Sequence, residues 1–328
     1  GLSRGEDYEY DYNYKSIPLD YSNTIGTLNY KRQSKEVESF LDHNSFDLIY
    51  SRGFRGGIVG ALIKKKYFKN KVKLINDVRA DVLDEHRESW IKKRIFRNTI
   101  KFVFSCTDIL FFVSTPLREK YIKLFKFKAK SQVCPTFVPD NKFDFSMEQR
   151  VEQRKRLNYG EGDIVLFYSG NMAKWQNVDL ILNAFQNSTN KMLYLLILTR
   201  DENMKGLIEK NSKRSKIKCF SVGYEEIQKF YFAGDYGVLI RDNTDTNKCS
   251  SPTKFSEYVN SGLALIINEI ESDYILDFKN LNLKGVLLNS KEELTTCFNN
   301  LTIENVKRNK IKINTLSTII ANQKKTLN

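Results

Sequence analysis

A short polar stretch in the second half of the chain carries the residue types that bind phosphate. Ser250, Ser251 and Thr253 cluster where a helix should begin, and Lys254 follows directly. The first backbone N–H groups of a helix have no internal partner and lie at the positive end of the helix dipole, which suits an anion. Glu257, one turn further on, can accept hydrogen bonds from sugar hydroxyls. Phosphate donors beside a hydroxyl acceptor indicate a nucleotide-sugar site. The alternative is an ordinary capped helix before a core strand.

Ten short apolar runs alternate with helical stretches along the chain. Most are continuous rather than alternating, which is typical of strands buried on both faces of a parallel sheet. The pattern occurs twice and predicts two doubly wound α/β domains, 1–145 and 146–304, followed by a helix over 305–328. The first 29 residues show no clear buried strand, so we expect either a truncated chain or a degenerate first strand–helix unit in the first domain. The predicted strands are Phe46–Tyr50, Val72–Asp77, Asp108–Val113, Gln132–Pro135, Ile164–Ser169, Leu193–Thr199, Ile217–Val222, Tyr236–Arg241, Leu263–Asn268 and Gly285–Leu288.

Composition excludes several classes of protein. A chain of 328 residues with 41% hydrophobic residues can fill two cores, so global disorder is excluded. The five cysteines are scattered and lack Cys-x-x-Cys spacing, which favours a reduced cytosolic protein without a disulfide framework or zinc site. Two histidines leave little room for a His-based metal site or triad. No apolar run reaches the ~20 residues that cross a bilayer, and no signal-peptide pattern opens the sequence.

The net charge of +14 is concentrated in one region. Between Ala61 and Lys130 there are nineteen Lys or Arg residues against seven Asp or Glu residues. In the stretches Trp90–Phe104 and Lys120–Lys130, aromatic and aliphatic side chains are interleaved with the basic ones. Such segments can lie on an anionic membrane surface or line a nucleic-acid groove. The third interpretation is a core-packed helix with a solvated basic face.

The polar stretch resembles a known donor-binding motif. In Cys249–Ile266 a Ser-Pro-x-Lys-x-x-Glu-Tyr pattern precedes a glycine and an apolar strand. This pattern resembles retaining GT-B glycosyltransferases, in particular the bacterial group 1 enzymes that build capsule and O-antigen chains. The resemblance implies that Glu257 holds the nucleotide ribose and that the serines and the helix N-terminus hold the diphosphate. It also implies a GT-B fold with a cleft between its domains and a last helix that returns to the first domain. The family often carries a second Glu where this chain has Cys249.

Further donor-site residues follow from the same resemblance. The segment Ser169–Gln176 is similar to a Tyr-Ser-Gly turn followed by a Lys-Trp pair, which implies that Gly170 approaches the donor and that Lys174 contacts its diphosphate. Arg241, at the end of a strand, is expected to face the donor phosphates; the alternative is an ion pair with a neighbouring aspartate. Tyr224 is expected to stack on the nucleotide base.

Acceptor residues are expected in the first domain. Asp77 and Arg79 match an Asp-x-Arg pattern that relatives place near the acceptor, so Asp77 could orient a hydroxyl and Arg79 could grip a phosphate. The alternative is a salt bridge within the loop. The stretch Ser51–Gly57 is predicted to be a phosphate-binding loop before a helix, with Arg52 and Arg55 as candidates and Arg52 as the one proposed for acceptor binding.

The sequence therefore predicts a retaining, metal-independent glycosyltransferase. Its donor would be a UDP- or GDP-sugar, with no other cofactor, and its acceptor a glycan linked to polyprenyl diphosphate, in surface polysaccharide biosynthesis. The basic region would hold the enzyme on the anionic inner face of the cytoplasmic membrane, and no nucleic-acid partner is expected. Two alternatives stay open at this point: a degenerate, non-catalytic GT-B binding module, and a GT-B nucleotide-sugar epimerase.

Overall fold

The structure is a computed structural model that describes residues 47–66, 72–85, 90–139, 143–223, 225–315 and 318. It divides into two compact units, with the division between Val133 and Cys134. The predictions for the first 29 residues, for Tyr224 and for most of the last helix fall outside the described residues. Each of the ten predicted strands is present, with its ends unchanged or displaced by one or two residues.

The first unit contains a parallel sheet of four described strands in the order β1-β2-β3-β4. The elements alternate between strand and helix, as the apolar pattern predicts. In chain order they are β1 (Leu48–Arg52), α1 (Gly53–Lys66), β2 (Lys73–Val78), α2 (Val82–Glu85), α3 (Trp90–Cys106), β3 (Ile109–Phe112), α4 (Thr115–Phe125) and β4 (Lys130–Val133).

The prediction of a loop at Ser51–Gly57 is wrong. Strand β1 runs to Arg52 and helix α1 begins at the next residue, so the glycines belong to the helix. A Cβ atom on Gly57 would lie 2.9 Å from the side chain of Asn76 on β2. The glycine therefore allows α1 to pack closely on the sheet.

Helix α3 changes character along its length. In its second half Ile100, Val103 and Phe104 are buried, and the Phe104 ring makes an edge contact with the Phe127 ring at a centroid distance of 5.3 Å. In its first half all six residues from Trp90 to Ile95 are exposed. Aromatic residues of the basic stretches therefore build the core, while the basic start of α3 faces solvent. Within the described residues, no helix has the length and apolarity needed to span a bilayer.

The second unit contains a parallel sheet of six strands in the order β10-β9-β8-β5-β6-β7. The order reverses between β5 and β8, which pair side by side. The elements are α5 (Met147–Arg156), β5 (Ile164–Ser169), α6 (Val178–Asn187), β6 (Leu193–Leu198), α7 (Asn203–Glu209), β7 (Ile217–Phe220), α8 (Ile227–Ala233), β8 (Tyr236–Leu239), α9 (Asp245–Lys248), α10 (Thr253–Asn260), β9 (Ala264–Asn268), α11 (Asp273–Asn280), β10 (Gly285–Leu288) and α12 (Leu294–Asn299), with 3₁₀ turns at Lys174–Gln176, Arg214–Lys216, Lys291–Glu293 and Ile303–Asn305.

Both faces of this sheet are covered. All six residues of β5 are buried, and alternate residues enter two different cores: Val165 and Phe167 enter one, and Leu166 and Tyr168 enter the other. A strand with two buried faces needs apolar residues at every position. This explains the continuous apolar runs in the sequence.

An ion cluster ties the amino end of the second sheet together. Asp235, which is fully buried, accepts from Arg150 at 2.6 Å, from Arg154 at 3.1 Å and from the backbone N–H of Val165 at 2.8 Å. Arg308 lies 3.6 Å from the same carboxylate. Three cations with mostly buried side chains thus share one carboxylate. They bind backbone carbonyls as well; Arg150 donates to the carbonyl at the end of α8 and to its two neighbours.

The segment after Asn305 packs on the second unit. Residues 306–313 form no helix, and the Asn309 side chain hydrogen-bonds backbone groups of Leu263 and Lys284 beside β9 and β10. The predicted last helix is therefore wrong for residues 306–313. The return of that helix to the first domain stays a prediction.

Asp235→Asn should destabilise the second unit strongly. The substitution keeps the shape of the side chain but leaves three buried arginines facing one another without a counter-charge, and breaking a buried ion pair on one side costs about 3 kcal/mol or more. Urea denaturation monitored by circular dichroism measures the loss in unfolding free energy.

The matched control is Glu202→Gln, which removes the exposed ion pair with Lys205 and should leave the urea midpoint unchanged. Equal midpoints for Asp235→Asn and the control would show that the cluster contributes nothing.

Candidate functional site

The candidate site lies at the carboxyl ends of β5 and β8. These are the neighbouring strands at which the strand order reverses, and open α/β sheets bind ligands at such a point. Ser169 is the last residue of β5 and Gly170 follows it, while Arg241 lies just after β8. Lys254 and Glu257 lie in helix α10.

Lys254 is a mostly buried cation bound to neutral groups. Its Nζ donates to Gln176 Oε1 at 2.7 Å, lies 3.3 Å from the Tyr168 hydroxyl, and stands 4.3 Å above the centre of the Tyr168 ring. Burial, and then the positive charge of Arg241, lower the pKa of Lys254 to about 7, although Glu257 opposes the shift. The ammonium group is therefore held in an environment that disfavours its charge.

Arg241 is a second buried cation at the same end of the sheet. Its backbone is fixed by Asn268 on β9, which accepts from the Arg241 N–H at 2.8 Å and donates to its carbonyl at 2.9 Å. Its guanidinium donates from Nη1 to the Trp175 carbonyl at 2.9 Å, while Nε is buried with no hydrogen-bond partner among the described residues. Burial lowers the Arg241 pKa. The neighbouring carboxylate of Asp242 binds Lys291 instead.

Both cations therefore lack a carboxylate partner within the described part of the chain. Arg241 and Lys254 hold the same 3₁₀ turn, one through the carbonyl of Trp175 and the other through the side chain of Gln176. Taking a cation out of water is costly unless an anion compensates it. A bound phosphate would supply that anion. The arrangement is therefore a site for an anionic ligand.

The approach of Lys254 explains the glycine at the end of β5. Gly170 has a φ of +139°, and a Cβ atom there would lie 2.5 Å from Lys254 Nζ and 2.8 Å from its Cε. A side chain at this position would displace the ammonium group. The group that approaches Gly170 closely is thus Lys254, and the approach of Gly170 to the donor stays a prediction.

Glu257 is held by a buried tyrosine. Its Oε2 accepts from the Tyr231 hydroxyl at 2.8 Å, and the Tyr231 oxygen lies 2.9 Å from Ser169 Oγ. Ser169 also connects to α10 through its N–H, which donates to the Tyr258 hydroxyl at 3.1 Å. Glu257, which the sequence predicts to bind the ribose, is therefore held by the end of β5 and by helix α8.

The residues before α10 have other partners than expected. Ser250 donates to the Asn247 carbonyl at 2.8 Å, and Ser251 accepts from the Thr136 N–H at 2.9 Å. Pro252 is the N-cap residue and provides no side-chain hydrogen bond, while Thr253 is exposed at the first helical position. The serine hydroxyls therefore shape the loop. The predicted contact with a diphosphate rests on the backbone N–H groups of α10.

Lys174 opens the 3₁₀ turn at the end of β5 and is exposed. Its predicted contact with a diphosphate stays a prediction, as does the role of Tyr224. Four side chains that hold Lys254 or Glu257, directly or through one other residue, were not predicted as site residues: Tyr168, Ser169, Gln176 and Tyr231. The first three lie within or beside the Ser169–Gln176 motif and could have been found there. Tyr231 lies in an apolar helix and carried no signal.

The candidate acceptor residues lie at the carboxyl ends of β1 and β2 in the first unit. Asp77 is buried, accepts from the Tyr50 hydroxyl at 2.7 Å and pairs with Arg79 at 3.4 Å. The salt bridge that the sequence left as an alternative is therefore present. Arg79 also lines a small cavity of about 70 Å³ whose other walls are largely apolar, and Arg52 is exposed at the end of β1. Their roles in acceptor binding stay predictions.

Comparison with known proteins identifies the fold. No family model and no curated protein sequence matches the chain. Sucrose-phosphate synthase from Thermosynechococcus elongatus matches with a TM-score of 0.69 at 11% identity, over 95% of this chain and 82% of that one. HepE from Anabaena, in complex with UDP-glucose, matches with a TM-score of 0.67 at 13% identity, over 95% and 85%. WaaG, a glycosyltransferase involved in lipopolysaccharide biosynthesis, gives 0.61 at 13%, over 89% and 80%.

These neighbours are GT-B glycosyltransferases. The chain has the same architecture of two α/β domains with parallel sheets, so the predicted GT-B fold is confirmed. At identities of 11–13% the likeness establishes the fold. The activity is argued from the site.

Replacement of Lys254 by methionine should change how stability depends on pH. In the folded protein the pKa of Lys254 is about 7, whereas in the unfolded chain it is about 10.4. Between these values the unfolded chain binds more protons, so the wild-type unfolding free energy rises with pH relative to Lys254→Met. We expect a relative gain of about 2 kcal/mol between pH 7 and pH 9, measured by urea denaturation.

In an Arg241→Met background the pH range over which this relative gain develops should begin at higher pH. The reason is that the charge of Arg241 is, after burial, the second cause of the lowered Lys254 pKa. Stability curves of wild type and Lys254→Met that run parallel from pH 7 to pH 9 would contradict the assigned environment of Lys254.

Proposed function

We propose that this protein is a glycosyltransferase that takes its sugar from a UDP- or GDP-sugar. One observation carries the proposal: Arg241 and Lys254 are buried together at the strand reversal of the second sheet with only neutral acceptors. A nucleoside diphosphate supplies the missing negative charge. Glu257, one turn along α10, accepts the ribose hydroxyls, and the backbone N–H groups that begin α10 add donors for the phosphates. The bound UDP-glucose in HepE, which shares the fold, supports this choice of ligand.

Catalysis in this site is mainly electrostatic. As the bond between the anomeric carbon and the diphosphate breaks, negative charge grows on the leaving phosphate oxygen. Preorganised cations aimed at that oxygen stabilise the transition state, and Arg241, Lys254 and Lys174 are the proposed donors. The acceptor hydroxyl attacks from the face that the phosphate leaves, and its proton passes to the departing phosphate. This course retains the configuration of the sugar and needs no metal.

The acceptor in this proposal is a glycan linked to polyprenyl diphosphate, in the assembly of a surface polysaccharide. Asp77 would orient the acceptor hydroxyl, and Arg79 and Arg52 would bind its phosphates. The exposed basic start of α3 would hold the protein at the anionic inner face of the cytoplasmic membrane. Trp90, which is 72% exposed, would insert at the lipid headgroups.

A second candidate function is donor binding without turnover. Cys249 is 5% exposed and occupies the position of a glutamate that the resembled family often uses. A thiol cannot accept hydrogen bonds from sugar hydroxyls as a carboxylate does. Loss of that contact would favour a binding module over an enzyme.

Titration calorimetry with UDP- and GDP-sugars tests the donor site. One of them should bind, and Arg241→Gln should weaken its binding, because the variant removes a buried guanidinium from the diphosphate. In turnover the same variant should lower kcat by about 100-fold. Arg214→Gln, an exposed arginine at the amino end of the sheet, is the control and should change neither value.

Transfer of a radiolabelled sugar to a polyprenyl-diphosphate-linked glycan distinguishes the two candidates. Binding with transfer supports the enzyme, and binding without transfer to any such acceptor supports the binding module. If no nucleotide sugar binds the wild-type protein, both are wrong.

Reversing the charge at the start of α3 should abolish membrane binding. Basic residues near an anionic surface contribute about 1 kcal/mol each, so replacing Lys92, Lys93 and Arg94 with glutamate should lower partitioning onto vesicles of phosphatidylcholine and phosphatidylglycerol by about 100-fold or more. Co-sedimentation at low and high salt measures the effect.

The matched control places the same change of charge on exposed residues of the second unit, at Lys205, Lys210 and Arg214. Equal losses in both triple variants would show that net charge, and not the start of α3, governs binding.

A further inference from the structure

A hydrogen-bonded chain of three side chains lies within the second unit and includes Glu257 of the proposed donor site. Ser169 closes β5, Tyr231 lies in α8 and Glu257 lies in α10. The Tyr231 oxygen is 2.9 Å from Ser169 Oγ and 2.8 Å from Glu257 Oε2. One tyrosine hydroxyl therefore connects the end of β5, beside the proposed phosphate site, to the Glu257 carboxylate, which is proposed to bind the ribose.

The direction of the hydrogen bonds in this chain is fixed. An ionised carboxylate only accepts, so Tyr231 donates to Glu257, and the Ser169 hydroxyl must then donate to Tyr231. Burial, and then the charge of Glu257, raise the pKa of Tyr231 well above its ordinary value, so its proton stays in place at any working pH. Donation in series strengthens each hydrogen bond of such a chain.

The tyrosine is also held rigidly. Tyr231 is fully buried, and its ring packs against Phe167 at a centroid distance of 4.5 Å, Phe143 at 5.3 Å and Tyr258 at 5.7 Å. A hydroxyl that cannot move holds one carboxylate oxygen in one position.

We propose that Tyr231, supported by Ser169, is a positioning residue that aims Glu257 at the 2′-hydroxyl of the ribose, so that the site selects ribonucleotides over deoxyribonucleotides. This inference rests on the proposed function, in which Glu257 binds the ribose of the donor. Precise aim matters because a hydrogen bond to a carboxylate weakens steeply when its angle departs from linearity. Without the Tyr231 hydroxyl, the Glu257 carboxylate loses a hydrogen bond that orients it, which weakens the ribose contact while the diphosphate contacts of Arg241 and Lys254 remain.

The test compares UDP with 2′-deoxy-UDP by titration calorimetry. Tyr231→Phe removes only the hydroxyl and should weaken UDP binding by about tenfold, which equals about 1.4 kcal/mol. Binding of 2′-deoxy-UDP should stay within about twofold of wild type, because that ligand lacks the hydroxyl at issue. Retained binding of 2′-deoxy-UDP also shows that the variant is folded.

Tyr159→Phe is the matched control. Tyr159 belongs to the same core, and its hydroxyl has no hydrogen-bond partner among the described residues. It should change neither affinity. If Tyr231→Phe fails to fold, Ser169→Ala provides the second variant and should reduce the preference for UDP by about threefold, since it removes one donor from the chain.

The outcomes separate the two levels of the account. Equal weakening of both ligands in Tyr231→Phe, or no change in either, would overturn the positioning role while leaving the proposed donor site intact. An unchanged preference in Ser169→Ala would overturn it in the same way. If wild-type protein binds neither UDP nor GDP, the proposed function fails, and the inference fails with it. If GDP alone binds, the same comparison is made with GDP and 2′-deoxy-GDP.

Discussion

The proposed donor site depends on two mostly buried cations whose direct hydrogen-bond partners among the described residues are all neutral. Arg241 and Lys254 are held by a carbonyl, an amide oxygen and a phenol, each of which compensates a charge only in part. The rest of the site is arranged around this cost: Gly170 gives Lys254 its space, Asn268 fixes the backbone of Arg241, and the 3₁₀ turn presents oxygens to both. A binding site that is costly when empty gains affinity when its ligand arrives.

The opposite end of the same sheet shows that this arrangement is local. There three arginines surround Asp235 and also donate to backbone carbonyls, several of them at the end of α8. The amino end is thus a closed ion cluster that ties α5 and the segment around Arg308 to β5 and β8. At the amino end the arginines have Asp235 as their counter-charge, and the cluster contributes to stability. At the carboxyl end Arg241 and Lys254 have only neutral direct partners among the residues that the structure describes, which suits an anionic ligand. The strand reversal between β5 and β8 gives that second end its opening.

Most of the fold follows from the sequence because both faces of the second sheet are buried. The apolar runs, most of them continuous, predicted all ten strands, and the strand–helix alternation predicted two doubly wound α/β domains. The GT-B class was implied by the resemblance of the motif around Glu257. The loop predicted at Ser51–Gly57 failed for a physical reason: glycines that suit a phosphate loop equally suit a helix packed closely on a strand, as Gly57 does against Asn76. Composition alone does not separate these two uses.

The site was only partly predictable for a similar reason. Arg241, Lys254 and Glu257 lie in recognisable patterns, and the structure brings all three to one end of the sheet. Their partners do not lie in such patterns, since Tyr231 reaches Glu257 across 26 residues and looks in sequence like one more core aromatic. Arg79 and Asp77 lie in a recognisable Asp-x-Arg pattern that suggests acceptor binding, and in the structure they form a salt bridge with each other. The pattern alone therefore does not separate a binding role from a structural one.

The most direct test of the account is a crystal structure of the protein with bound UDP. The account predicts that the diphosphate lies within hydrogen-bond distance, about 3 Å, of the Arg241 guanidinium and Lys254 Nζ, and that Lys254 exchanges Gln176 for a phosphate oxygen. A diphosphate bound elsewhere, with both cations still on their neutral partners, would contradict the claim that their uncompensated charge defines the site.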